Sequence, residues 1–177
     1  MARSDDLVQI IKGCKGSEAE SFEKLIDIYG RRCYGYFYRL TGNREISDDL
    51  LGELFVKLVA KIGSYKGGSF EGWLFKTASN LFHDYLRSKQ RQRKLLEVRK
   101  KQFESEVTES KQCGSERIDK LQIQLEKLDA DTRELIMLRF YSELRFKEIA
   151  KMRGEPIGTT LSKLHRGLKK LRVLMEQ

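Results

Sequence analysis

Between Pro156 and Arg172 the chain reads PIGTTLSKLHRGLKKLR, with hydroxyls and cations recurring at helical spacing. On a wheel of about 100° per residue, Thr159, Ser162, Lys163, Arg166, Lys169 and Lys170 share one arc. Ile157, Thr160, Leu161, Leu164, Gly167, Leu168 and Leu171 share the other. A helix with this division packs on one side and offers the other to an anion. Just upstream, FKEIAKMRG predicts a second helix that packs through Phe146, Ile149 and Ala150. Gly154 suits a left-handed C-terminal turn, and Pro156, the one proline of the chain, suits the start of the next helix. Two helices joined this tightly, the second basic outside, read as a helix-turn-helix. Thr159 and the free first-turn N–H groups would meet a phosphate; Ser162, Lys163 and Arg166 would enter the major groove. Lys169, Lys170 and Arg172 would neutralise backbone charge. The same pattern also describes a plain helical hairpin with a solvated face, and spacing leaves both readings open.

Two further groups of polar residues stand out. Lys76, Asn80, His83, Asp84 and Arg87 share the polar face of one predicted helix. Asn80 carries donor and acceptor for a base edge, while Lys76 and Arg87 suit phosphates. Asp84, which phosphates would repel, is expected to orient Arg87. Trp73 invites a stacking role, but its place between Phe70 and Leu74 predicts core packing. Asp48, Asp49 and Glu53 form an acidic patch at a predicted helix start, suited to a basic protein surface or simply to the helix dipole.

Other chemistries find little support. The carboxylate pairs Asp48-Asp49 and Asp129/Asp131 diverge on a helix and lack a third ligand, so no catalytic or metal site is assigned. Cys14, Cys33 and Cys113 are widely spaced, far from His83 and His165, which argues against zinc and disulfides; no cofactor is expected. The formal charge of +9 over 177 residues points to a polyanionic partner. No apolar run reaches the roughly 18 residues of a membrane span, and MARSDDLVQ lacks a signal peptide's apolar segment. A soluble, cytoplasmic protein without membrane insertion is expected.

The elements that must hold these residues are all helical, since apolar positions recur at steps of three and four without strand-like alternation. A first helix follows Ser17 and Glu20 at capping-box spacing, with a stripe of Phe22, Leu25, Ile26, Tyr29, Cys33, Tyr36, Phe37 and Leu40. Thr41-Gly42-Asn43 ends it. A second starts near Ser47 and buries Leu50, Leu51, Leu54, Phe55, Leu58, Val59 and Ile62. After Gly67-Gly68-Ser69 a third packs through Phe70, Trp73, Leu74, Ala78, Leu81 and Tyr85. The polar stretch from about 92 to 117 reads as a linker with room for a frayed helix in its first half. Periodicity returns with Ile118, Leu121, Leu125, Leu128, Leu135, Ile136, Leu138 and Phe140. The chain thus divides into an all-α module over 1–91, a linker over 92–117 and a second all-α module over 118–177.

The residues from Leu128 to Leu171 resemble region 4 of bacterial sigma factors of the extracytoplasmic function (ECF) type. Leu128, Arg133, Leu138, Arg139, Glu148-Ile149-Ala150, Gly158-Thr159, Ser162, Leu164 and Arg166 carry the match. ISDDLLGELFVKL resembles region 2.2, and GSFEGWLFKTASNLFHDYLR resembles regions 2.3 and 2.4 through Gly68, Phe70, Trp73-Leu74, Ala78, Asn80, Asp84 and Arg87. The resemblance implies a non-enzymatic subunit of RNA polymerase. Asp48, Asp49 and Glu53 would bind core polymerase; Lys76, Asn80, His83 and Arg87 would bind the promoter −10 element. Thr159, Ser162, Lys163, Arg166, Lys169 and Lys170 would bind the −35 element. A base unstacked during DNA opening would be held near Asn80. The expected partners are core RNA polymerase and promoter DNA, and an anti-sigma factor is the first candidate regulator, since neither terminus shows an extra domain. Gly52, Thr160, Leu161 and Lys163 depart from the family pattern: Gly52 weakens its helix, Leu161 is expected to pack rather than touch a thymine methyl, and Lys163 lacks arginine's planar fork. The main alternative is a stand-alone helix-turn-helix regulator that binds duplex DNA without polymerase.

Overall fold

Short polar breaks divide the chain into eight α-helices among the residues described in the computed structural model, 4–100 and 120–176. They are α1 (Ser4–Lys15), α2 (Ala19–Thr41), α3 (Arg44–Lys61), α4 (Phe70–Lys100), α5 (Lys120–Glu126), α6 (Ala130–Tyr141), α7 (Phe146–Arg153) and α8 (Ile157–Glu176). A single 3-10 turn, Ile62–Ser64, follows α3. Cys113 and most of the stretch read as a linker lie outside the described residues. Its first part does not: α4 runs on through Lys100.

Helix boundaries differ from the sequence reading where one segment has two roles. Gly42 takes a left-handed φ of 66° and closes α2, and the next residue, Asn43, caps α3 by accepting from Ile46 N at 2.9 Å. The second helix therefore begins at Arg44 and not near Ser47, which is wholly buried and bonded to Asn43 O. Nor does Ser17 cap: at φ 64° it lies in the α1–α2 turn, and Glu18 occupies the cap position. Helix α1, unanticipated in sequence, seals Ile11 and Cys14 into the core beside α2.

The first module packs α2 against α3 and α4 through Leu25, Tyr29, Cys33, Phe37, Leu54, Leu58, Phe70 and Leu74, all essentially buried. Several residues expected inside lie outside. Ile26, Val59 and Phe140 are exposed. Trp73 is half-buried, its ring 5.8 Å from Tyr65 and 5.7 Å from Phe70, so it closes the edge of the core rather than its centre.

The second module folds α5 to α8 around Leu125, Leu135, Leu138, Ile149 and Leu164. The two modules touch, chiefly through α2 against α5 and α6 and through α4 against α7, and their buried residues form one continuous cluster. Arg133, one of the residues carrying the sequence resemblance, is part of this join. Its guanidinium donates to Leu40 O at 2.9 Å, Leu128 O at 3.0 Å and Glu126 O at 3.1 Å, satisfying carbonyls at helix ends in both modules.

Candidate nucleic-acid interface

The helix-turn-helix is built as its residue types dictate. Gly154 at φ 67° ends α7, donating to Ala150 O and Lys151 O, and Thr160 N donates to Pro156 O at 3.1 Å as α8 begins. Thr160, Leu164 and Gly167 turn into the module. Gly167 lets α8 approach α6 closely, since an added Cβ would lie 2.5 Å from Thr132 Cγ2. Thr159, Ser162, Arg166, Lys169 and Lys170 are all exposed on the outer face. Ile157 and Leu161 join them there, 47% and 42% exposed, which corrects their placement in the packed arc. Leu161 is thus open to an apolar group such as a thymine methyl.

Lys163 is the exception on this face. Its ammonium donates to Glu155 Oε2 at 2.8 Å and Asp131 Oδ2 at 3.3 Å. These bonds to Glu155 and Asp131 raise the lysine above its ordinary value. Burial pushes Glu155 up, but Lys163 and Arg153 outweigh it and hold the carboxyl below the usual range. Lys163 must leave these carboxylates before it can reach a base.

On α4, Lys76, Asn80 and Arg87 are exposed, and Arg87 Nη1 lies 3.2 Å from Asp84 Oδ1, the orienting contact expected from sequence. Two members of this face are engaged by the other module. Lys76 Nζ donates to Met152 O of α7 at 2.8 Å, and His83 Nε2 sits 3.1 Å from Glu134 Oε2 of α6.

Glu134 was not legible as a special position. It is 1% exposed, and its carboxylate accepts from Ser79 Oγ at 2.6 Å, Tyr36 Oη at 3.2 Å and Arg153 Nη1 at 3.3 Å. Burial, with the Glu134 charge beside it, drives the Tyr36 hydroxyl far above its normal titration range. Arg153 in turn bonds Glu155 Oε1 at 2.9 Å and pairs with Asp131. A buried carboxylate that accepts from three donors on α2, α4 and α7, with His83 beside it, thus fastens the two modules.

The acidic patch stands apart. Asp48, Asp49 and Glu53 are exposed on α3, with Glu53 paired to Lys57 at 2.9 Å, and exposed Val56 continues their face by one turn. An added Cβ at Gly52 would meet nothing, so that departure leaves a flat, open spot in the patch. Among the described residues, no group of three or more potential ligands could hold a metal ion, and no helix is long and apolar enough to cross a membrane.

Residues 25–92 match the family model for Sigma-70 region 2, and residues 118–171 match that for Sigma-70 region 4. The ECF RNA polymerase sigma factor SigE of Mycolicibacterium smegmatis is 29% identical over 161 residues, 86% of this chain and 60% of that protein. The chain thus spans less than two thirds of SigE. The ECF RNA polymerase sigma factor SigW of Bacillus subtilis is 28% identical over 173 residues, 92% of each chain. Among solved structures, the sigma factor RpoE of Bartonella quintana, in complex with the anti-sigma factor NepR, superposes with a TM-score of 0.70 at 25% identity. That match covers 89% of this chain and 98% of RpoE.

Proposed function

The chain belongs to the sigma-70 family, as an RNA polymerase sigma factor of the ECF type, and on that premise we propose how its surfaces divide the work of starting transcription. It binds core RNA polymerase and directs it to promoters, acting as a specificity subunit in the cytoplasm and not as an enzyme. The module over 1–91 docks polymerase through Asp48, Asp49 and Glu53. It meets the −10 element through Lys76, Asn80, His83 and Arg87, with Asn80 beside an unstacked base. The module over 118–177 reads the −35 element through Thr159, Ser162, Lys163 and Arg166, with Lys169 and Lys170 on phosphates. The stretch over 92–117 tethers the two. RpoE is matched as it stands with NepR, which supports an anti-sigma factor as the regulator here.

The observation that carries this reading is the separation of charge. Two exposed cationic faces, on α4 and α8, flank a chain whose exposed acidic patch lies on a third helix, α3. Nucleic acid and a basic protein surface can then be held at once. The test is co-elution with bacterial core polymerase, with Asp49→Ala, Glu53→Ala as the control. Tight binding by the wild type and at least tenfold weaker binding by the variant are expected. A wild-type chain that ignored polymerase yet shifted duplex DNA would overturn the assignment in favour of a stand-alone regulator.

A further inference from the structure

Two of the α8 positions that depart from the family pattern, Thr160 and Lys163, meet at one side chain, Glu155 of the turn before the helix. The Thr160 side chain is wholly buried, and its hydroxyl donates to Glu155 Oε1 at 3.2 Å. The same oxygen accepts from Arg153 Nε at 2.9 Å. A valine at position 160 would leave it to Arg153 alone. Arg153 is itself anchored 3.3 Å from the buried carboxylate of Glu134. One oxygen of Glu155 is thus fixed from beneath, and the other, Oε2, faces Lys163 at 2.8 Å. Asp131 faces the same ammonium at 3.3 Å from the start of α6.

Lys163 therefore differs from the cations beside it. Arg166, Lys169 and Lys170 stand exposed, whereas the Lys163 side chain is 33% exposed and sits between two carboxylates. Any contact it makes with DNA is an exchange. At a mismatched sequence the return is a single phosphate, one anion for two. At a matched one, Ser162 and Arg166 seat the helix in the groove, and Lys163 meets base-edge acceptors such as guanine N7 and O6. Discrimination of this kind comes from disfavouring the wrong partner rather than from an added attraction to the right one.

We propose that Glu155 is a specificity-determining residue for the −35 element: held by Thr160 and Arg153, it keeps Lys163 off mismatched DNA and yields it to a matched site. Thr160 is its positioning residue. This role rests on the sigma-factor reading above, and it adds a residue that governs readout without touching a base.

The experiment uses holoenzyme, the full-length chain with bacterial core polymerase, on a promoter duplex it selects from a random-sequence library and on the same duplex with its −35 element scrambled. Glu155→Gln keeps the shape and an acceptor for Arg153 and Thr160 but removes the charge facing Lys163. On the scrambled duplex this variant should bind about fivefold more tightly near 0.15 M salt, with the log K against log salt slope steeper by about 0.9, the value of one phosphate gained. On the selected duplex, where Lys163 is already released, affinity and slope should stay near wild type. Thr160→Val should shift discrimination in the same direction. Lys163→Gln should weaken binding to the selected duplex and leave the scrambled one alone, and in that background Glu155→Gln should change nothing, because no lysine remains to be freed. Should Glu155→Gln fail to fold, Asp131→Asn removes the other carboxylate from a half-exposed position and carries the same expectation. An unchanged slope on the scrambled duplex overturns the proposal. So does an equal gain in the Lys163→Gln background, which would make Glu155 a plain repeller of phosphate. If wild-type holoenzyme selects no promoter at all, the sigma-factor reading itself fails, and this role with it.

Discussion

Lys163 shows how one side chain can hold two incompatible positions. Facing Glu155 and Asp131 it ties α8 to the start of α6 and to the preceding turn; in the proposed DNA-reading role it would have to abandon both. The pair has a pH signature. Glu155 is held below its ordinary 4.5 in the folded chain, so the stability it contributes is present above that value and lost as pH falls through the lower, folded value. Lys163 is raised above its ordinary 10.5, so its share is present below that and lost as pH rises beyond it. Thermal melts between pH 6 and pH 3 should show the wild type losing stability on acidification. Glu155→Gln should start lower at neutral pH and lose less across the same range. Parallel curves for the two proteins would mean that the pair contributes nothing to folding.

At the scale of helices, packing is close where α8 crosses α6 at Gly167. An added methyl would meet Thr132 Cγ2 at 2.5 Å and Ile136 Cδ1 at 3.3 Å, and Thr132 is too short and branched to swing aside. Gly167→Ala should destabilise the chain by about 1–3 kcal/mol, read by urea unfolding, although alanine is the better helix former. A stabilised variant would show that the helices have room to part. Gly167 was legible only as a member of the packed arc, because the sequence gives the face of a helix and not the distance to its neighbour. Helix periodicity and the helix-turn-helix were readable for the same reason: they depend on local spacing and on Gly154 and Pro156. Helix starts were not, since Asn43 reads as a terminator of α2 yet caps α3, a competition settled by geometry. Glu134 and Phe140 invert the usual pattern altogether, one a buried carboxylate and the other an exposed aromatic ring. Periodicity cannot anticipate a partner such as Tyr36, 98 residues away.

For the whole molecule, the join between modules sets a limit on function. A chain of this length in one closed body has a radius of gyration of about 16 Å. Promoter elements centred about 25 base pairs apart lie about 85 Å from one another at ~3.4 Å per step. Modules in contact could not read both elements as proposed, so on that reading the α2–α6 join and the contacts of Lys76 and His83 with the second module would have to open before promoter binding. Glu134 is the buried polar group that bonds across that join. Removing its carboxylate leaves Arg153, Tyr36 and Ser79 without their shared acceptor in a buried setting, a loss of about 3–5 kcal/mol by analogy with broken buried pairs. Glu134→Ala should therefore melt earlier and scatter X-rays with a larger radius of gyration, and it should speed amide exchange in α6. Because less closure then opposes the open form, its association with core polymerase should tighten by the factor in which the open population rises. Glu134→Gln keeps the shape and one acceptor oxygen but drops the charge facing Arg153 and His83, and should fall between alanine and wild type. Were the alanine variant as compact and as slow to exchange as wild type, the apolar surfaces of α2 and α6 would be holding the modules together without help from the buried carboxylate.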